Sequence, residues 1–124
     1  PNEFRMLPLK LSLSINREII MIRLVLSTIN DLEDANLVAR HLVSEKLAAC
    51  VNILPKMTSV YHWKGTLEET LEHLIIIKTS EDRVETLMNR LKELHPYDLP
   101  EILAVPVESG LPSYLKWVLE ETRI

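Results

Sequence analysis

From residue 22 onward the apolar positions change period several times, and each change marks an element. "IRLVLST", Ile22 to Thr28, is a short and almost continuous apolar run, suited to a strand covered on both faces. Leu32, Ala35, Ala39, Leu42 and Val43 then recur at helical spacing, with Asn30 or Asp31 placed to cap the helix start. "LAACVNIL" returns to strand character until Pro55, which a bend or an edge tolerates and a central ladder does not. "TSVYHWKGTLEETLEHLIIIKTS" predicts two strands joined at Lys64-Gly65, because Gly65 can take the positive φ of a tight turn.

Ser80 is expected to cap a second helix in which Val84, Leu87, Met88, Leu91 and Leu94 share one face. Pro96 disfavours helical backbone at His95, so that helix ends there. "EILAVPVE" predicts a further strand with Pro106 at an edge or bulge. Pro112 then opens a C-terminal helix carrying Tyr114, Leu115, Trp117 and Val118.

The order strand, helix, strand, strand, helix, strand, helix predicts an α+β fold. It is the ferredoxin-like split βαβ arrangement, with helices on one face of the sheet, a long β-hairpin and an extra C-terminal helix. The hairpin, from about Ala48 to Lys78, is too long to bury its apolar side against two helices, so self-association through it is expected. Tyr61 and Trp63, beside the turn, serve there as cross-strand packing or intersubunit anchors, or alternatively as a binding platform.

Residues 1–20, "PNEFRMLPLKLSLSINREII", stand apart from this pattern. Met21 precedes the first strong strand and would serve as a natural start, and Leu7, Leu9, Leu11, Leu13 and Ile15 alternate with Pro8, Lys10, Ser12 and Ser14. No small-residue cleavage site follows, so the segment is a poor signal peptide. It is expected to be expression-derived or upstream sequence, leaving residues 21–124 as one domain.

Composition narrows the function classes. With 47% hydrophobic and 26% charged residues and no apolar run near the roughly 20 residues of a span, an integral membrane protein is excluded. Fourteen Lys and Arg against eighteen Asp and Glu, with the basic residues scattered, argue against nucleic acid as a partner. The single cysteine, Cys50, can form neither an internal disulfide nor the cysteine pairs of a structural zinc site, so a reducing, cytoplasmic setting is expected.

Candidate chemistry is sparse. No GxSxG, GxGxxG or P-loop occurs, and two glycines cannot build a glycine-rich phosphate cradle. The four histidines form no HxxxH pair. If Lys64 and Gly65 are the turn residues, paired positions sum to 129, so His62 faces Leu67 and lies roughly 20 Å along the ribbon from His73. His41 reads as a solvated or core-edge residue. Cys50 is either a small buried hydrophobe or a soft copper ligand. His95 is either a helix-end residue favoured by the dipole or a functional imidazole, since the Tyr97 hydroxyl and the Glu101 carboxylate lie within a turn of it.

"LAACVNI", "TSVYHWKG", "IIIKTS", "HPYDLPEILAVPV" and "YLKWV", in this order and spacing, resemble the CutA family of divalent-cation-tolerance proteins over Met21 to the C-terminus. The resemblance implies a PII-like trimer built through the long hairpins, a role in tolerance to copper and other divalent metals, and no enzymatic reaction. Copper ligands discussed for the family fall on the first strand and the "HPY" block. Here His95 matches, whereas Ser27 and Leu94 stand where some bacterial members carry a cysteine and a second histidine.

The leading expectation is therefore a homotrimeric, non-enzymatic module with an intersubunit cleft near His95. Its divalent cation, Cu²⁺ or another, would be held by His95 with Cys50 or Glu101, while Lys78, Tyr97 and Asp98 orient a ligand. No organic cofactor is implied. A structural trimer or interaction scaffold is the second reading. An enzyme with His95 as acid or base and Lys78 as electrostatic support is the third.

Overall fold

A computed structural model describes residues 22–123, and the expectations for residues 1–20 lie outside the described residues. The strands are β1 (Ile22–Ile29), β2 (Cys50–Ile53), β3 (Met57–Trp63), β4 (Thr66–Ser80) and β5 (Leu103–Pro106), with helices α1 (Leu32–Ser44), α2 (Val84–Leu94) and α3 (Pro112–Glu121). Asp31 caps α1, its Oδ1 accepting from the Glu33 and Asp34 backbone N–H groups at 2.7 and 3.4 Å. Ser80 does not cap α2. Its hydroxyl donates to the Asp82 side chain at 2.6 Å, and a 3-10 turn, Glu81–Arg83, leads into the helix instead. At its other end α2 stops at His95, whose extended ψ of 135° is the conformation that a following proline enforces.

The sheet runs β2-β4-β1-β5 with every neighbour antiparallel, and β3 extends the β4 ladder beyond β2. Pro55 separates β2 from β3, so the two short strands together form one bent partner for the 15-residue β4. The β3–β4 register pairs His62 with Leu67 and Trp63 with Thr66, as the Lys64-Gly65 turn requires, and Gly65 has φ +80°.

Strand parity divides the sheet into two faces. Val25, Ile29, Ile75 and Ile77 point at α1 and α2, where Ala35, Val38, Leu42, Leu87 and Leu91 complete a core with almost no exposure. Alternate residues, Leu24, Leu26, Leu74, Ile76 and Lys78, belong to the opposite face. The third helix crosses to that side rather than joining the other two: Leu115 and Val118 bury Ile22 and Ala49 at one end of the sheet. Among the described residues nothing covers the remainder of the second face. Leu103, Val105, Tyr114 and Trp117 are exposed, as are Val60, Leu67 and Leu71 on the ribbon.

Candidate functional site

The segment after α2 folds back over the end of β1 and is fastened there by His95. The Tyr97 backbone N–H donates to Nδ1 of His95 at 3.1 Å, so that nitrogen carries no proton, and Nε2–H donates to the Thr28 carbonyl at 2.9 Å. Both ring nitrogens of the sequence-predicted metal ligand are thus engaged within the chain, and ligation requires one of these bonds to break. Burial pushes the His95 pKa below its ordinary value, against the opposing pull of the Thr28 carbonyl and the Glu72 charge. The ring of Tyr97 packs edge-on against the imidazole with centroids 4.7 Å apart.

Tyr97 links this segment to the ribbon by donating its hydroxyl to Glu72 Oε2 at 2.7 Å. Burial would by itself raise the Glu72 pKa. Hydrogen bonds from Ser59, Tyr97 and Thr28, with the field of His95, outweigh that and hold the carboxyl below its ordinary range. Burial, followed by the bond to Glu72, pushes the Tyr97 phenol far above its usual value, which keeps it a donor.

Thr28, Ser59, Glu72 and Tyr97 line an open groove of about 800 Å³, with His95 behind the Tyr97 wall rather than in the lining. Glu72, Thr28 and Ser59 contribute the sheet side, Tyr61 and Trp63 the ribbon side, and Tyr97, Asp98 and Glu101 the loop side. Three of the expected site residues, Tyr97, Asp98 and Glu101, therefore meet, and Tyr61 and Trp63 meet them.

Two others do not. Lys78 shares the face of Glu72 but lies six residues further along β4, roughly 20 Å away at the strand rise. Its ammonium sits 5.8 Å from the Tyr114 ring centroid instead. Cys50 pairs with Lys78 across the β2–β4 ladder, half-buried and outside the groove lining. Among the described residues no group of three His, Cys, Asp or Glu side chains converges as a metal site.

Glu72 is the residue the sequence reading missed. Its signal was available in the hairpin register, which sets Met57 opposite Glu72 and so aligns Glu72 with Ser59 and Tyr61 on one face.

A ferredoxin-like sheet with one face left open, a projecting ribbon and a carboxylate-floored groove defines a small PII-like protein. The chain belongs to the CutA1 divalent ion tolerance family, whose family model matches residues 23–121. It is 45% identical over 102 residues to the divalent-cation tolerance protein CutA of Thermus thermophilus, covering 82% of this chain and 99% of that one. A CutA homolog of Xenopus laevis is 51% identical over 81 residues, covering 65% of this chain and 54% of its own length. The chain thus spans the full bacterial relative and about half the length of the animal one. The crystal structure of CutA from Xylella fastidiosa is 46% identical and superposes with a TM-score of 0.81, covering 83% of this chain and 99% of that chain. The Thermus relative is named for cation tolerance rather than for a reaction.

The expected cytoplasmic setting is overturned by the same relatives. The Archaeoglobus fulgidus CutA structure, 35% identical with a TM-score of 0.80, covering 83% of this chain and 100% of that one, is named as periplasmic. An Oryza sativa relative, 43% identical over 77% of this chain and 54% of its own length, is named as chloroplastic. Relatives of one fold are named for different compartments, so the lone thiol of Cys50 does not define where the chain resides. Among the described residues no helix is long and apolar enough to cross a membrane.

Proposed function

We propose that this chain is a homotrimeric, non-catalytic module that binds divalent cations, with copper the metal to test first, at sites completed between subunits. The observation that carries this reading is the groove's position beside the uncovered sheet face: Leu74 and Ile76 follow Glu72 on the same side of β4. Exposed apolar side chains on that face and along the ribbon favour burial against another copy. Self-association would bring a neighbour against the half-open groove.

Asp98 and Glu101 are exposed oxygen donors at its mouth. They lack converging partners in one chain, and Cys50 or Lys78 can reach a groove only across an interface. An imidazole or thiol from a neighbour would add the softer donors that favour copper over the other first-row divalent ions. Family membership supports the cation reading, and the open face supports the assembly.

The test is light scattering together with calorimetric titration of Cu²⁺ into the wild type and an Asp98→Asn/Glu101→Gln double variant. Trimer mass and tight, stoichiometric binding that weakens by about tenfold, roughly 1.4 kcal/mol, in the variant is the expected result. A monomer mass would overturn the assembly. Binding that ignores the substitutions would remove this metal site and leave a scaffolding role.

A further inference from the structure

The side of β4 that faces away from α1 and α2 carries a stripe of alternate residues, Glu72, Leu74, Ile76 and Lys78. It has an acid at one end, a base at the other and a pair of half-buried apolar side chains between them. Glu72 is only 7% exposed, and its carboxyl is held ionised by hydroxyl donors. Among the described residues no ion pair includes Glu72 or Lys78. A buried negative charge with hydrogen bonds but no counter-charge is costly.

None of the described residues of the same chain supplies that counter-charge. No Lys, Arg or His lines the groove over Glu72. Arg23, the other Lys or Arg within the described strands, has the opposite parity and bonds Glu81. Lys78 has the right face but lies roughly 20 Å along the strand. Its ammonium rests 5.8 Å from the Tyr114 ring centroid, a contact that brings no formal negative charge.

The stripe is nevertheless complementary to a second copy of itself. Leu74 and Ile76 offer apolar surface to apolar surface, while the acid end of one copy suits the base end of the next. In a closed ring each subunit then gives one Lys78 and receives one.

We propose that the partner subunit's Lys78 supplies the missing counter-charge to Glu72, closing the floor of each groove with an ion pair across the subunit boundary. This pair rests on the self-association proposed above. It adds which face meets which, and the direction in which the subunits follow one another around the ring.

The test uses full-length protein without added metal. Light scattering gives the mass, and NMR of isotope-labelled glutamate follows the Glu72 carboxyl through its titration in the wild type, Lys78→Met and Lys78→Arg, at a concentration where all share one mass. An ammonium in contact lowers a carboxyl pKa strongly, whereas one roughly 20 Å along the same strand is screened by salt. The expected result is a trimer mass and a Glu72 titration at least about one pH unit higher in Lys78→Met, roughly tenfold in proton affinity, that Lys78→Arg restores. Lys78→Gln takes the place of Lys78→Met should that variant not fold. A titration that the neutral variant leaves unmoved, or a rise that Lys78→Arg does not reverse, overturns the ion pair, and a trimer mass then leaves the assembly standing. A monomer mass for the wild type overturns both.

Discussion

The Nε2 of His95 lies 2.9 Å from the carbonyl oxygen of Thr28, a residue 67 positions earlier in the chain, and this bond pins the loop after α2 to the end of β1. The same ring accepts the Tyr97 N–H, so one imidazole satisfies a carbonyl on the sheet and an amide on the loop. With the Tyr97 hydroxyl bond to Glu72, these two bonds hold the loop side of the groove in place.

Replacing His95 by Gln is therefore expected to destabilise the protein. A glutamine cannot meet both partners with the geometry of the rigid ring, so one buried backbone group is left unsatisfied at a cost of about 1–3 kcal/mol. Urea unfolding at fixed protein concentration measures this, and an unchanged midpoint would show that the loop is held by other contacts.

Acid should weaken the fold in two stages. Burial lowers the His95 pKa below its ordinary 6.5, so the unfolded chain takes up the proton first. The stability contributed by the neutral ring is complete above pH 6.5 and is lost as pH falls below it toward the folded value. Glu72, held below its ordinary 4.5, adds a second loss as pH falls below 4.5. Stability measured between pH 8 and 3 should decline in that order, with the upper stage missing in His95→Gln. A flat profile above pH 5 would contradict the assignment.

Tyr97→Phe removes the donor to Glu72 without changing the ring packing against His95. The lost charge-assisted bond is expected to reduce stability by about 1.5–3 kcal/mol. It should also raise the Glu72 pKa, shifting the acid transition to higher pH. Because Tyr97 and His95 touch, the double variant with His95→Gln should lose less than the sum of the two single losses. Strict additivity would mean that the two bonds act independently.

Gly65→Ala isolates backbone torsion from crowding. A Cβ built at Gly65 meets nothing within 4 Å, yet φ is +80°. The expected loss of about 1 kcal/mol is therefore wholly conformational. Thermal unfolding of the variant checks it, and no change would show that the turn shifts to a conformation alanine accepts.

Much of the architecture was readable because it depends on short-range chemistry. Pro96 ends α2, Asp31 rather than Asn30 caps α1, and Lys64-Gly65 sets the ribbon register, each through neighbours within a few residues. The Ser80 expectation failed because Asp82 competes for its hydroxyl, a choice that the local pattern does not reveal.

The sequence by itself determined the element order, the strand parity and the family, because period, turn chemistry and motif spacing are properties of adjacent residues. Only the tertiary structure decided which charged groups share space. Strand rise carries Lys78 and Cys50 away from the groove, while α3 crosses to the second face through the burial of Leu115 and Val118. Chain reversal after Pro96 brings Tyr97 onto Glu72, 25 positions away. Such juxtapositions arise from packing one element against another, and no local pattern encodes them.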